Sequence, residues 1–388
     1  MQGTSPNVPQ DVSRLGIDGD ALRKPLSGVG QYIFNLCREL ESLLPTTQFF
    51  VYTRLSADEI ALPSSRWTVR REAWPLARKL PSFLWLKLRG CQLAKRDQLD
   101  VFWAGRTIHP GRHSAKRVVV TVHDLNHHLV PETMEKVTLY SHLLWFDRDV
   151  RSAAMILTNS QGTSDRLQHW VSRRADAIVY PGVRDDFRPL DPSQRETALM
   201  ALKEKGVVPP YVLAVSTLEP RKNIGALIEA FVQLKKRGEL RDHRLVLVGA
   251  RGWQNQELAR TIEANAEQGI VLPGYVPDEL MPAIFALAEV LVMPSLYEGF
   301  GMPVLEARAV GTPVIVSDVA ELKEAAGGQA QVVSPDAHGL EAALSQQALF
   351  TRTAPREALG DIQSWGRSAR VMVAALTQAN PDHTQANA

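Results

Sequence analysis

Short apolar runs recur along this chain, separated by stretches whose apolar positions fall every three or four residues. Continuous apolar runs fit strands buried on both faces, and the longer period fits amphipathic helices. Their alternation is the pattern of parallel sheets built from strand–helix–strand units, so the fold class predicted is α/β. In the first half the runs predict strands at Arg14–Asp18, Phe49–Thr53, Leu99–Trp103, Val118–His123, Met155–Thr158 and Ala177–Tyr180. Ser27 is placed to cap a helix with the stripe Val29, Ile33, Leu36, Leu40 and Leu43, which Pro45 ends. In the second half strands are predicted at Tyr211–Ser216, Leu245–Val248, Ile270–Leu272, Val290–Met293 and Val314–Ser317, with a weaker run at Gln331–Val333. A helix between the first two carries Ile224, Leu227, Ile228, Phe231 and Leu234 and stops at Gly238. The Pro- and Asp-rich stretch Val183–Glu196 reads as a linker, and residues 1–12 and 378–388 as disordered ends. Two consecutive halves of this kind predict a ligand cleft at the carboxyl ends of their strands.

Length and composition narrow this picture only a little. The 388 residues suit two domains, and 45% hydrophobic with 22% charged residues is ordinary for a globular protein. A net charge of +2 favours no partner class, so electrostatic function must come from local clustering. The two cysteines, Cys37 and Cys91, make neither a disulfide framework nor a metal spacing. With no secretory signal and no apolar run long enough to span a bilayer, the expected location is the cytoplasm.

Chemistry concentrates where predicted strands end. Pro294-Ser295-Leu296-Tyr297-Glu298-Gly299-Phe300-Gly301-Met302-Pro303-Val304-Leu305-Glu306-Ala307 runs from a buried strand through a glycine-containing loop to a helix that Pro303 opens. The amides around Gly299, Phe300 and Gly301 and the helix start form a positive pole suited to an anion. Glu298 lies free to point into the cleft, and Glu306 is placed to accept hydrogen bonds from a ribose diol. Ser216-Thr217-Leu218-Glu219-Pro220-Arg221-Lys222-Asn223 again joins a strand to a helix. A leaving diphosphate gains charge as its glycosidic bond breaks, so Arg221 and Lys222 stabilise the transition state more than the ground state.

Two further groups lie in the first half. Thr121-Val122-His123-Asp124 ends its most apolar strand, which puts His123 where it can bind a sugar hydroxyl. His127 and His128 nearby invite a metal reading, but the second-half cations already supply the charge a metal would, and none is expected. Leu26-Ser27-Gly28-Val29-Gly30 lets a backbone approach a ligand as a helix begins, without completing a dinucleotide fingerprint, since position 33 is Ile.

In this order and spacing, the opening strand with Ser-Gly-Val-Gly, then His-Asp-Leu, Glu-Pro-Arg-Lys-Asn and Glu-Gly-Phe-Gly-x-Pro-x-x-Glu-Ala resemble the retaining glycosyltransferases of family 4 over nearly the whole chain. The resemblance implies the GT-B fold, two Rossmann-like domains facing a deep cleft, with a final helix near Trp365-Gly366-Arg367-Ser368-Ala369 crossing back to the first. It implies an acceptor domain at 13–185 with a crossover helix at 365–380, and a donor domain at 186–364. By the same resemblance Glu298 and His123 contact the transferred sugar, Glu306 the ribose, Arg221 and Lys222 the diphosphate, and Gly28 or Gly30 the phosphate from the other domain. The implied donor is GDP-mannose, and the implied acceptor a glycan or lipid-pyrophosphate-linked glycan of bacterial surface polysaccharide such as O-antigen or capsule. A UDP- or dTDP-sugar transferase of rhamnose type, or a sugar-nucleotide epimerase on the same frame, are the alternatives.

Two stretches depart from the family pattern. Asp18-Gly19-Asp20 follows the opening strand and reads as loop residues near the acceptor. The segment 66–96 mixes Arg66, Arg70, Arg71, Arg78, Lys79, Lys87, Arg89, Lys95 and Arg96 with Trp67, Trp74, Phe83 and Trp85. That mixture suits an anionic membrane surface or a lipid-pyrophosphate acceptor, or else an amphipathic element packing its aromatics inward. Nucleic acid fits poorly, since charge elsewhere is balanced and no reading motif is present.

Overall fold

The computed structural model describes residues 12–250, 252, 256–346 and 364–377. Two units emerge, one of Met1–His127, Lys136–Gly182 and Gln363–Ala388, the other of His128–Glu135 and Val183–Ile362.

The first unit holds a seven-stranded sheet of β1 (Arg14–Asp18), β2 (Gln48–Thr53), β3 (Trp67–Arg71), β4 (Leu99–Ala104), β5 (Ala115–Val122), β6 (Met155–Thr158) and β7 (Ala177–Ile178). All its pairings are parallel, and the strands lie in the order β3-β2-β1-β4-β5-β6-β7. Six of the seven strands were legible as apolar runs; β3 was not. Its Arg70 and Arg71 hide a strand at the sheet's edge, where only one neighbour, β2, pairs with it.

The helix Gly28–Leu43 is capped by the Ser27 side chain, which accepts from the Gly30 amide at 3.1 Å. Ile33, Leu36 and Leu40 of its stripe are fully buried. The helix Trp365–Thr377 packs on it within the same unit. Ser368 Oγ donates to the Tyr180 carbonyl at 2.5 Å, and a guanidinium nitrogen of Arg117 donates to the Leu376 carbonyl at 2.5 Å. Gly182 allows this return, because a Cβ there would stand 2.3 Å from the Trp365 nitrogen.

The second unit repeats the plan with β8 (Tyr211–Val215), β9 (Arg244–Val248), β10 (Ile270–Val271), β11 (Val290–Met293), β12 (Val314–Ser317) and β13 (Gln331–Val333). Their order is β10-β9-β8-β11-β12-β13, all parallel. Ile224, Leu227, Ile228, Phe231 and Leu234 are all buried on one face of the helix Ile224–Lys236, against β8, β9, β11 and the helix Ala337–Ser345. The stretch Val183–Glu196 begins where the two units divide and carries no helix or strand over residues 183–191, but its last five residues are not linker. Asp191-Pro192 opens the helix Pro192–Glu204, with Asp191 Oδ1 accepting from the Ser193 amide at 2.9 Å. An Asp-Pro pair signals a helix start as well as a turn.

Numbered from its own first strand, the second sheet has the order 3-2-1-4-5-6 and the first sheet the same order with a seventh strand added after the sixth, so in both the order reverses between the first and fourth strands. The connections on either side of that reversal diverge and open a crevice at the carboxyl ends of the strands. In the first unit the reversal lies between β1 and β4, and in the second between β8 and β11.

Candidate functional site

Both second-half motifs leave the strands flanking the reversal of the second sheet. β8 runs out into 216–223 and β11 into 294–301. The two exits are tied together. The Leu296 amide donates to the Arg221 carbonyl at 2.9 Å, and Asn223 Nδ2 donates to the carbonyls of Pro294 (3.1 Å) and Pro335 (2.5 Å). Asn223 sits at φ 54°, the left-handed region that Asn tolerates better than most residues. Asn223→Ala should therefore lower stability by about 2–3 kcal/mol in denaturant titration, from backbone strain plus two lost hydrogen bonds. Asn223→Gly should recover only the backbone share.

Glu298 is the hub of the site. It is buried, and its Oε1 accepts from Lys222 Nζ at 2.5 Å and from Ser295 Oγ at 2.7 Å. Its Oε2 accepts from Arg221 Nη1 at 3.0 Å. Arg221 also donates to Glu219 Oε1 at 2.7 and 3.1 Å and to the Tyr297 carbonyl at 2.8 Å. Burial alone would raise the Glu298 carboxyl, but the charges of Lys222 and Arg221 and hydrogen bonds from Lys222 and Ser295 outweigh it and hold it at about 2. Burial and the Arg221 charge also lower the Lys222 ammonium below its usual range, against the pull of Glu298. Two cations thus face two carboxylates, Glu298 and Glu219, in a largely buried cluster at the reversal point. An incoming dianion would compete with Glu298 and Glu219 for the two cations, and the cluster with it would pass from neutral to a net −2.

The loop Gly299–Gly301 follows, with Phe300 buried and Gly301 at φ 104°, and the helix Met302–Ala309 begins with Pro303 in its first turn. Gly301 has two reasons to be glycine: the positive φ, and Leu322, whose Cδ2 a Cβ would meet at 2.6 Å. Glu306 lies on this helix. Burial lifts its carboxyl to about 7, the Arg184 charge pulls down in part, and Asp186 and Asp278 push up again. Arg184 is itself held by Asp186 at 2.6 Å and by the Asp278 carbonyl at 2.8 Å.

In the first unit His123 follows β5 and is buried, with Nε2 2.7 Å from the Gly105 carbonyl. A carbonyl only accepts, so Nε2 carries the proton and Nδ1 is the acceptor. Burial lowers the ring's pKa, which keeps the imidazole neutral, and Tyr32 meets it edge-on at 4.9 Å. Gly28 is exposed at the start of its helix. The Gly30 amide is taken by Ser27, and a Cβ on Gly30 would stand 2.9 Å from the Ala21 carbonyl, so packing accounts for that glycine.

Asp18 and Asp20, read from sequence as loop residues, are instead buried at the reversal of the first sheet. Asp18 ends β1 and pairs with Arg106, and Asp20 pairs with Arg54 at 3.2 Å. Burial and the Asp18 charge raise the Asp20 carboxyl.

Segment 66–96 is also more internal than its composition suggests. Trp67 and Trp85 are buried. Arg70 pairs with Asp97 at 2.7 Å, Arg89 with Glu72 at 3.0 Å and Lys87 with Asp149. Trp74 stays more than half exposed.

Sequence reasoning quoted Ser295 and Asn223 within the motifs but gave them no role, and it passed over Arg184. For Asn223 the signal available was its residue type at a strand–helix junction, where Asn tolerates the left-handed region.

Residues 209–349 match the family described as Glycosyl transferases group 1, and residues 26–187 match Glycosyltransferase Family 4. The O-antigen chain mannosyltransferase B of Escherichia coli is 30% identical over 331 residues, 82% of this chain and 85% of that protein. Sucrose-phosphate synthase of Thermosynechococcus elongatus has a similar structure, with a TM-score of 0.67 at 21% identity over 94% of this chain and 95% of that one. So does HepE of Anabaena, solved with UDP and glucose, with a TM-score of 0.62 at 16% identity over 94% and 96%.

Proposed function

We propose a function from one premise: the chain belongs to glycosyltransferase family 4, with the GT-B fold, and is therefore a hexosyltransferase. The reaction we infer is transfer of mannose from GDP-mannose, with retention at the anomeric carbon, to a glycan or lipid-pyrophosphate-linked glycan in surface polysaccharide assembly. The O-antigen mannosyltransferase likeness supports the sugar and the pathway. We place the work at the cytoplasmic face of the membrane; separately, no helix among the described residues is long and apolar enough to cross one.

One observation carries the donor site: Arg221, Lys222 and Glu298 meet within 3.0 Å at the reversal point of the second sheet. In the proposed reaction the diphosphate draws Arg221 and Lys222 away from Glu298. The freed carboxylate then takes hydroxyls of the sugar, and Glu306 takes the ribose diol. As the sugar–phosphate bond opens, negative charge grows on the leaving phosphate beside both cations, so their attraction is greatest in the transition state. We assign these cations the work a metal would otherwise do. The first unit is assigned to the acceptor, with His123 for the transferred sugar and Gly28 or Gly30 for the donor phosphate.

A thermal-shift series with GDP, UDP, dTDP and ADP tests the donor. Ligand present at about a hundred times its Kd stabilises the fold by about 2.7 kcal/mol, so the base that fits ranks first. GDP should give the largest shift; a larger one with UDP would replace GDP-mannose by a UDP-sugar.

A further inference from the structure

The two edges of the first sheet carry different chemistry. Its carboxyl ends lead to His123 and the reversal point, while a cavity of about 300 Å³ lies where β5 and β6 begin, with Val118 and Ala154 among its walls. From Lys116 to His123 the chain runs along β5, a span of about 23 Å at the rise of a strand. A ligand in this cavity stands clear of the sugar assigned to His123. Four cations line it, Arg112, Lys116, Arg151 and Arg173, and no Asp or Glu among the described residues does. They come from four places in the chain: the loop before β5, β5 itself, the end of the helix Lys136–Ser152 and the turn after the helix Gln161–Val171.

Packing explains part of this gathering. Arg151 Nε donates to the Val171 carbonyl at 3.3 Å, and Arg173 Nη1 donates to the Arg151 carbonyl at 3.1 Å, so each arginine caps the carboxyl end of the other's helix. A helix end offers only about half a charge, so capping leaves much of theirs unanswered. Carboxylates meet two of the four cations: Asp100 holds Lys116 at 2.8 Å, and Asp147 stands 3.6 Å from Arg151. Arg112 and Arg173 make no ion pair among the described residues, which leaves two positive charges at one cavity. A phosphate monoester carries about −1.5 to −2 at pH 7 and matches them, and the forked donors of a guanidinium fit its oxygens. Small-molecule sites begin at about 300 Å³, room for a sugar-sized body beside the phosphate.

We propose that this cavity binds a soluble phosphate monoester with a body the size of one sugar ring, its phosphate held by Arg112 and Arg173. The site is separate from the one assigned to the donor and does not depend on that assignment. Affinity falls as salt rises, and falls again below about pH 6, where the phosphate loses its second charge.

Calorimetric titration of the full chain with mannose 6-phosphate at low salt is the direct measurement, with methyl α-mannoside as the uncharged control. The parent protein should bind the ester and not the control. Binding should weaken at least about tenfold in Arg112→Ser/Arg173→Ser and stay unchanged in Lys222→Ala. Where loss of the Arg173 cap unfolds the double variant, Arg112→Glu replaces it, since that side chain is exposed and donates only to His113 among the described residues. No binding by the parent, equal binding of the control, or full affinity in the arginine variants overturns the proposal. Loss of binding in Lys222→Ala alone puts the phosphate in the donor region and overturns it too. So does a parent protein that ignores the soluble ester yet sediments with phosphatidylglycerol vesicles through these arginines, which would put a lipid headgroup there. A parent that binds the ester but shows no GDP-induced thermal shift counts against the donor reading and leaves this site standing.

Discussion

Glu298→Ala is expected to abolish sugar transfer and to lower the melting temperature together. Glu298 accepts from Lys222, Arg221 and Ser295 in a buried pocket. Its removal leaves Lys222 without a carboxylate, while Arg221 keeps Glu219. Stranding a buried charge costs about 3–5 kcal/mol, most of a small domain's margin. The same loss removes the group assigned to the transferred sugar, so transfer should fall by at least about 100-fold, as when one preorganised partner of a transition state is deleted. GDP supplies a test that separates the two effects. Its diphosphate offers the cations new negative charge, so the gap in melting temperature between variant and parent should narrow at saturating GDP while transfer stays lost. Lys222→Ala should also lose transfer, but with a smaller GDP-induced shift than the parent. Full transfer by either variant would contradict the assignment. Because the Glu298 carboxyl is held down to about 2, its ion pairs are complete above the ordinary Glu range near 4.5 and are lost only as pH falls from there through 2.

Donor affinity should rise with pH through about 7 because of Glu306. Burial keeps that carboxyl protonated to about 7, and only the carboxylate accepts from both ribose hydroxyls. Well below 7 the affinity for GDP should therefore drop by about tenfold per pH unit, measured by calorimetry. Stability moves the opposite way. The folded protein holds a proton that the unfolded chain has released above 4.5, so this group's contribution is fully present below 4.5 and is lost as pH climbs through 7. Glu306→Gln should thus raise the melting temperature at pH 8, leave it nearly unchanged below pH 4.5, and flatten the pH dependence of a weakened GDP affinity. A profile for the parent protein that is flat between pH 6 and 8 would remove Glu306 from the ribose.

The fold was legible because strands buried on both faces must be apolar throughout. The runs at Val290–Met293 and Val314–Ser317 are strands over those same residues. What escaped was whatever depends on a partner far away in sequence. Trp67–Arg71 looks cationic until β2 pairs with it and Asp97 meets Arg70. Asp18 and Asp20 look like loop carboxylates until Arg106 and Arg54 reach them from the exits of β4 and β2. In the second unit the sequence placed Arg221, Lys222 and Glu298 at strand ends, and the strand order then made β8 and β11 neighbours. Sequence separation gave no hint that Glu298 would hold both cations, or that burial with Arg184, Asp186 and Asp278 nearby would set the carboxyl of Glu306.

The central claim is that a nucleoside diphosphate binds where Arg221, Lys222 and Glu298 meet, and a crystal structure of the protein with GDP tests it most directly. The account expects phosphate oxygens within hydrogen-bond distance of Arg221 and Lys222, both turned from Glu298, and the ribose hydroxyls on Glu306. A diphosphate bound elsewhere, with the Lys222–Glu298 pair intact beside it, would contradict it.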